Sequence, residues 1–119
     1  MSDLSAKQCV PCRGGVPPMS PAEIIPLHGQ LSGWDVIGYH HLHKAYGFPD
    51  FAQALAFVDR IGALAEAQGH HPDLELSWGR VAVKIWTHKI DGLTESDFIW
   101  AAKADRLRSE ATRASDTPS

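Results

Sequence analysis

Three of the chain's seven histidines fall between positions 70 and 88: His70 and His71 are adjacent and followed by Pro72, and His88 lies downstream. Imidazoles that titrate near neutrality can give or take a proton, as an addition or elimination reaction needs. Glu66 precedes His70 by four residues, a spacing that sets two side chains on one helical face, so a carboxylate is expected beside that ring to fix its tautomer. His71 is held extended by the proline and points elsewhere. The trio also invites a zinc reading, in which metal-bound water is the reagent. Adjacent residues in extended chain point to opposite sides, however, so His70 and His71 would need a bend to share one ion. The expectation is therefore no metal. A His-His-Pro is also, on its own, an ordinary helix-terminus feature.

The elements around these residues must position them. Asp50 caps a helix with Gln53 three residues on. Phe51, Leu55, Val58, Ile61 and Ala65 fall near helical spacing and predict an apolar face running to about Gly69. Pro72 ends that helix, leaving His70 at its C-terminal, negative end. A hairpin follows. Leu74, Leu76 and Trp78 alternate with polar residues, Gly79-Arg80 can form a two-residue turn, and Val81, Val83 and Ile85 resume the alternation. If Trp78 pairs with Val81, all six apolar residues share the core face and Lys84, Trp86 and His88 lie on the other. The start of one hairpin strand neighbours the end of its partner, so residues 71–73 meet 85–88 and the three imidazoles converge at one end of the sheet.

The remaining segments complete the domain. Ser20-Pro21-Ala22-Glu23 is a capping box with proline first; Pro26 should kink or shorten its helix, which ends at His28-Gly29. Trp34 to Tyr46 reads as one or two short strands with a break near Gly38. Thr94-Glu95-Ser96-Asp97 opens a last helix to about Ala111. The order α-β-β-α-β-β-α predicts an α+β fold, a four-stranded antiparallel sheet with three helices on one face. Residues 1–19 read as an irregular arm, 20–112 as one domain and 113–119 as a disordered tail.

Composition narrows the function. The formal charge of −3 carries no basic footprint for nucleic acid, and no window approaches a membrane span. There is no signal-peptide pattern, and a cytoplasmic location is expected. Cys9 and Cys12 supply at most half of a zinc site and lack the context of a redox motif.

Glu66-x-x-x-His70-His71-Pro72, the aromatic Trp78, Thr87-His88 and Gly92-Leu93-Thr94-Glu95-x-Asp97 together resemble the pterin-4a-carbinolamine dehydratase family. The likeness extends through Trp34 and YGFPDFAQALAFV, covering roughly residues 20–112, and the KxCxxCxGGxPP arm resembles that of bacterial members. The resemblance implies a hydro-lyase that dehydrates a 4a-hydroxytetrahydropterin, left by an aromatic amino-acid hydroxylase, to a quinonoid dihydropterin, with no cofactor. It implies acid–base roles for His70, His71 and His88, and a pterin pocket lined by residues 70–72 and 87–90, namely His70, His71, Pro72, Thr87, His88, Lys89 and Ile90. Glu66 would support His70. Trp34 would flank the pterin or anchor the sheet. Asp97 matches the family's last acidic position but also stands at the third helical position of the capping box, and the cap is the preferred reading. A homodimer or homotetramer is implied, and a non-catalytic dimerisation or transcription-coactivator role is the alternative.

Overall fold

The computed structural model describes residues 4–6 and 17–116. A short 3-10 turn at Leu4–Ala6 precedes α1 (Pro21–His28), β1 (Asp35–Ile37), β2 (His41–Gly47), α2 (Phe51–Gln68), β3 (Asp73–Ser77), β4 (Arg80–Ile85), a 3-10 turn at His88–Ile90, and α3 (Glu95–Asp116). The expected α-β-β-α-β-β-α order is the observed one. The strands form one antiparallel sheet in the order β1-β2-β4-β3. Cys9 and Cys12 lie outside the described residues. No described helix is long and apolar enough to cross a membrane.

Local chemistry explains the helix starts. Ser20 and Glu23 bond each other's backbone amides, and Asp50 accepts the Gln53 N–H at 2.8 Å. Alternation explains the two sheet faces. Leu42 and Tyr46 of β2 and Val81, Val83 and Ile85 of β4 are buried with Phe57, Ile61, Phe98, Trp100 and Ala101 of the helices in one core. The opposite face carries His41, His43, Asp73, Glu75 and Lys84.

Two predicted details of this layer are corrected. The hairpin closes one residue earlier than expected, with Ser77 paired to Arg80 and Trp78-Gly79 as the turn, so Trp78 stands 69% exposed instead of joining the core face. Leu74 and Leu76 stay on the core face but change partners, from the expected Ile85 and Val83 to Val83 and Val81. Gly79 is required by close approach: a Cβ there would lie 2.8 Å from the Phe48 carbonyl oxygen, and the Phe48 N–H donates to the Gly79 carbonyl at 2.9 Å. On α2 the buried stripe is Ala54, Phe57, Ile61 and Ala65, while Phe51 and Leu55 are exposed. The helix is turned by Phe57, whose ring packs 4.7 Å from Tyr46 and 5.2 Å from Phe48. Helix α3 also continues beyond Ala111, to Asp116.

A polar network ties β2 to α3. Asp105 accepts from the Trp34 indole, the Lys44 ammonium at 2.8 Å and the Tyr46 hydroxyl at 2.6 Å. Burial, then the Asp105 carboxylate, pushes the Tyr46 hydroxyl far above its ordinary range.

Candidate active site

Helix α2 ends on Gly69, whose left-handed backbone (φ 62°) turns the chain off the helix axis. His70 therefore does not occupy the next position of the helical face, and its spacing from Glu66 no longer brings the two together. The carboxylate expected on His70 sits instead on His71: Glu66 Oε2 lies 2.5 Å from His71 Nε2, in an exposed pair. His70 Nε2 lies 2.5 Å from Oδ1 of Asp97.

Asp97 is the residue the sequence reading undervalued. It does cap α3, its Oδ2 accepting the Thr94 N–H at 2.8 Å, but the same oxygen accepts the Thr87 hydroxyl at 2.9 Å, and Oδ1 faces His70. The side chain is fully buried, and that of His70 is 15% exposed. A buried carboxylate costs several kcal/mol unless paired and hydrogen-bonded, roughly, and here every neighbour is a donor. An ionised carboxylate only accepts, so the His70 proton sits on Nε2 and Nδ1 is left as the open lone pair. Glu66 does the same for His71. The signal that could have found Asp97 is its place in GLTExD beside a second threonine motif, Thr87-His88.

A chain of contacts runs from His70 to the end of β4. Asp97 brings His70 to Thr87, whose side chain is buried, and Thr87 leads into the turn carrying His88 and Lys89, both exposed, and half-buried Ile90. Pro72 is half-buried just before β3. The His88 side chain has no hydrogen-bond or ion-pair partner among the described residues; its ring lies 4.2 Å from that of Trp86. Trp86 in turn contacts His40 and His41, which sequence reasoning did not connect to the site. Burial, then the charges of Lys84, His40 and His43, lowers the proton affinity of His41. Trp34 is buried in the core with its indole on Asp105 and anchors the sheet there. A cavity of about 550 Å³ opens on the outer sheet face against His41, His43, Asp73, Glu75 and Lys84; its lining does not include His70, His71 or His88. No group of three or more metal-ligating side chains stands within reach of one ion among the described residues.

Residues 17–107 match the family model described as pterin 4 alpha carbinolamine dehydratase. The chain belongs to this family. A protein of Rubrobacter xylanophilus, provisionally named pterin-4-alpha-carbinolamine dehydratase, is 56% identical over 107 residues, covering 90% of this chain and 100% of its own. A Rickettsia bellii protein of the same provisional name is 58% identical, covering 88% and 94%. Among solved structures, a transcriptional coactivator/pterin dehydratase from Brucella melitensis superposes with a TM-score of 0.72 at 28% identity, covering 76% of this chain and 97% of its own. A pterin dehydratase-like RuBisCO assembly factor of the alpha-carboxysome matches with a TM-score of 0.56 at 28% identity, over 64% and 89%. Dehydratases of this family are hydro-lyases.

Proposed function

We propose that the chain dehydrates a 4a-hydroxytetrahydropterin to the quinonoid dihydropterin, with His70, His71 and His88 as the acid–base groups. The observation that carries this reading is the buried Asp97 carboxylate set on His70 and joined to Thr87. A capped helix needs only the Thr94 contact. The second oxygen, on a ring beside His71, is what proton transfer requires.

The reaction breaks the C4a–O bond and the N5–H bond and forms C4a=N5. One imidazolium gives its proton to the departing hydroxyl, which leaves as water, and a neutral imidazole takes the N5 proton. The two transfers cancel, so the site returns to its starting charge once protons are exchanged, and no cofactor enters. His70 and His71 have the carboxylate-backed geometry that presents Nδ1, while His88 approaches from the turn after β4. Pro72, Thr87, Lys89 and Ile90 frame the bound ring.

The substrate would come from an aromatic amino-acid hydroxylase in the cytoplasm. A homodimer or homotetramer fits a sheet whose outer strands, among the described residues, are β1 and β3. The coactivator and assembly-factor names among structural relatives keep a binding role in view, but a scaffold has no use for imidazole–carboxylate pairs. Single His70→Ala, His71→Ala and His88→Ala variants separate the two. Each folded variant is expected to lose about 10²- to 10⁴-fold in dehydration rate, the usual worth of a positioned acid or base. Full turnover in all three would reject the assignment.

A further inference from the structure

The candidate site holds its three histidines in different ways. His70 and His71 each have a carboxylate, whereas His88 rests on Trp86. Something must then hold Trp86 and the turn that carries His88, and the outer edge of the sheet supplies it.

His40 ends the β1–β2 turn. Its Nε2 lies 2.6 Å from Oδ1 of Asp91, which closes the turn containing His88, and its Nδ1 lies 3.0 Å from Nδ1 of His41. Both imidazoles lie against Trp86, with ring centroids at 5.3 and 5.8 Å. The carboxylate can only accept, so His40 donates from Nε2, and its Nδ1 accepts the proton of His41. The lowered proton affinity of His41 agrees with a ring that stays neutral in this chain.

The backbone points to the same contact. Among the described residues, only Tyr39 (φ 55°) and Asp91 (φ 52°) are non-glycine residues with left-handed backbone. One precedes His40 and the other is its partner. Tyrosine adopts this conformation only where its surroundings enforce it, whereas aspartate is among the few residues with a Cβ that visit it readily, here as the cap of its turn. An exposed imidazole–carboxylate contact adds little to stability, so stability alone is a poor account of the strained Tyr39 turn meeting it.

We propose that His40 is a positioning residue for His88: with Asp91 it latches the β1–β2 turn to the turn after β4, and with His41 it holds Trp86 as the surface on which His88 is oriented. This rests on the acid–base reading of His88, so the experiment carries a readout independent of turnover. In the full-length protein, the ring protons of His88 feel the ring current of Trp86 and should resonate away from the ordinary histidine position by NMR. In His40→Ala and in Asp91→Ala that displacement is expected to collapse, while the urea midpoint is unchanged. Dehydration kcat should fall about tenfold with KM within about twofold. The double variant should be no worse than either single one, and His40→Gln, which keeps a donor toward Asp91, should recover most of the rate.

A His88 signal that does not move in either variant overturns the latch, whatever the rates do. Losses that multiply in the double variant overturn it too, because they make the two residues independent. A displacement that collapses in the variants of a protein whose wild type has no dehydratase activity upholds the latch and removes the catalytic reading alone.

Discussion

The two oxygens of Asp97 face different neighbours, Oδ2 the Thr94 N–H and the Thr87 hydroxyl, Oδ1 the ring of His70, and all three neighbours donate. Asparagine would keep the shape but bring an NH₂ group. Turned toward His70 it demands the opposite tautomer; turned the other way it meets the Thr94 N–H. Asp97→Asn should therefore lower the dehydration rate by about 10²-fold or more, with a loss of about 3–5 kcal/mol in urea stability as the upper end for breaking a buried pair. Unchanged turnover would show that the carboxylate serves the cap alone. A second residue-scale prediction concerns His41, whose proton affinity is lowered from the ordinary 6.5 by burial first and then by Lys84, His40 and His43. The unfolded chain then binds the proton more readily than the folded one, so stability falls as pH drops below about 6.5. An NMR titration should show His41 ionising below the ordinary histidine range; a midpoint at or above it would contradict the burial seen here.

Among the elements, the junction of α2 and β3 does the most for the site. Gly69 adopts φ 62°, and a Cβ there would meet nothing within 4 Å, so the cost of Gly69→Ala is conformational, about 1–2 kcal/mol. Its larger effect should be on rate, because the left-handed turn takes His70 off the helix face and aims it at Asp97. A urea series with parallel kinetics checks this; wild-type kcat at reduced stability would mean the turn does not aim the ring. The same junction shows what the sequence disclosed and what it hid. Asp50, Ser20 and Pro72 act on chain neighbours, so both helix starts and the end of α2 were legible. The partner of His70 was not, because it depends on where a left-handed glycine sends the chain. Likewise the hairpin was legible from alternation, but its turn was off by one residue because Gly79 is there for Phe48 and not for the first turn position. The reversed polarity of Trp78 follows from that slip.

At the scale of the molecule, the fold lets residues from distant segments meet at one end of a sheet. His70 and Asp97 are 27 positions apart, and His40 and Asp91 are 51. The succession of helices and strands along the chain and much of the core were readable because periodicity reports burial directly. The outer-face cluster of His40, His41, Trp86 and His88 was not, because ring contacts across strands leave no periodic trace. The buried Asp97 network, the carboxylate-backed rings and the family membership support the proposed reaction. It is tested most directly by generating the 4a-hydroxytetrahydropterin with an aromatic amino-acid hydroxylase and following its disappearance by absorbance, with and without the full-length protein. Catalytic amounts should speed dehydration well above the spontaneous rate, and the triple variant His70→Ala/His71→Ala/His88→Ala should not. A spontaneous rate left unchanged by stoichiometric wild-type protein would contradict the central claim.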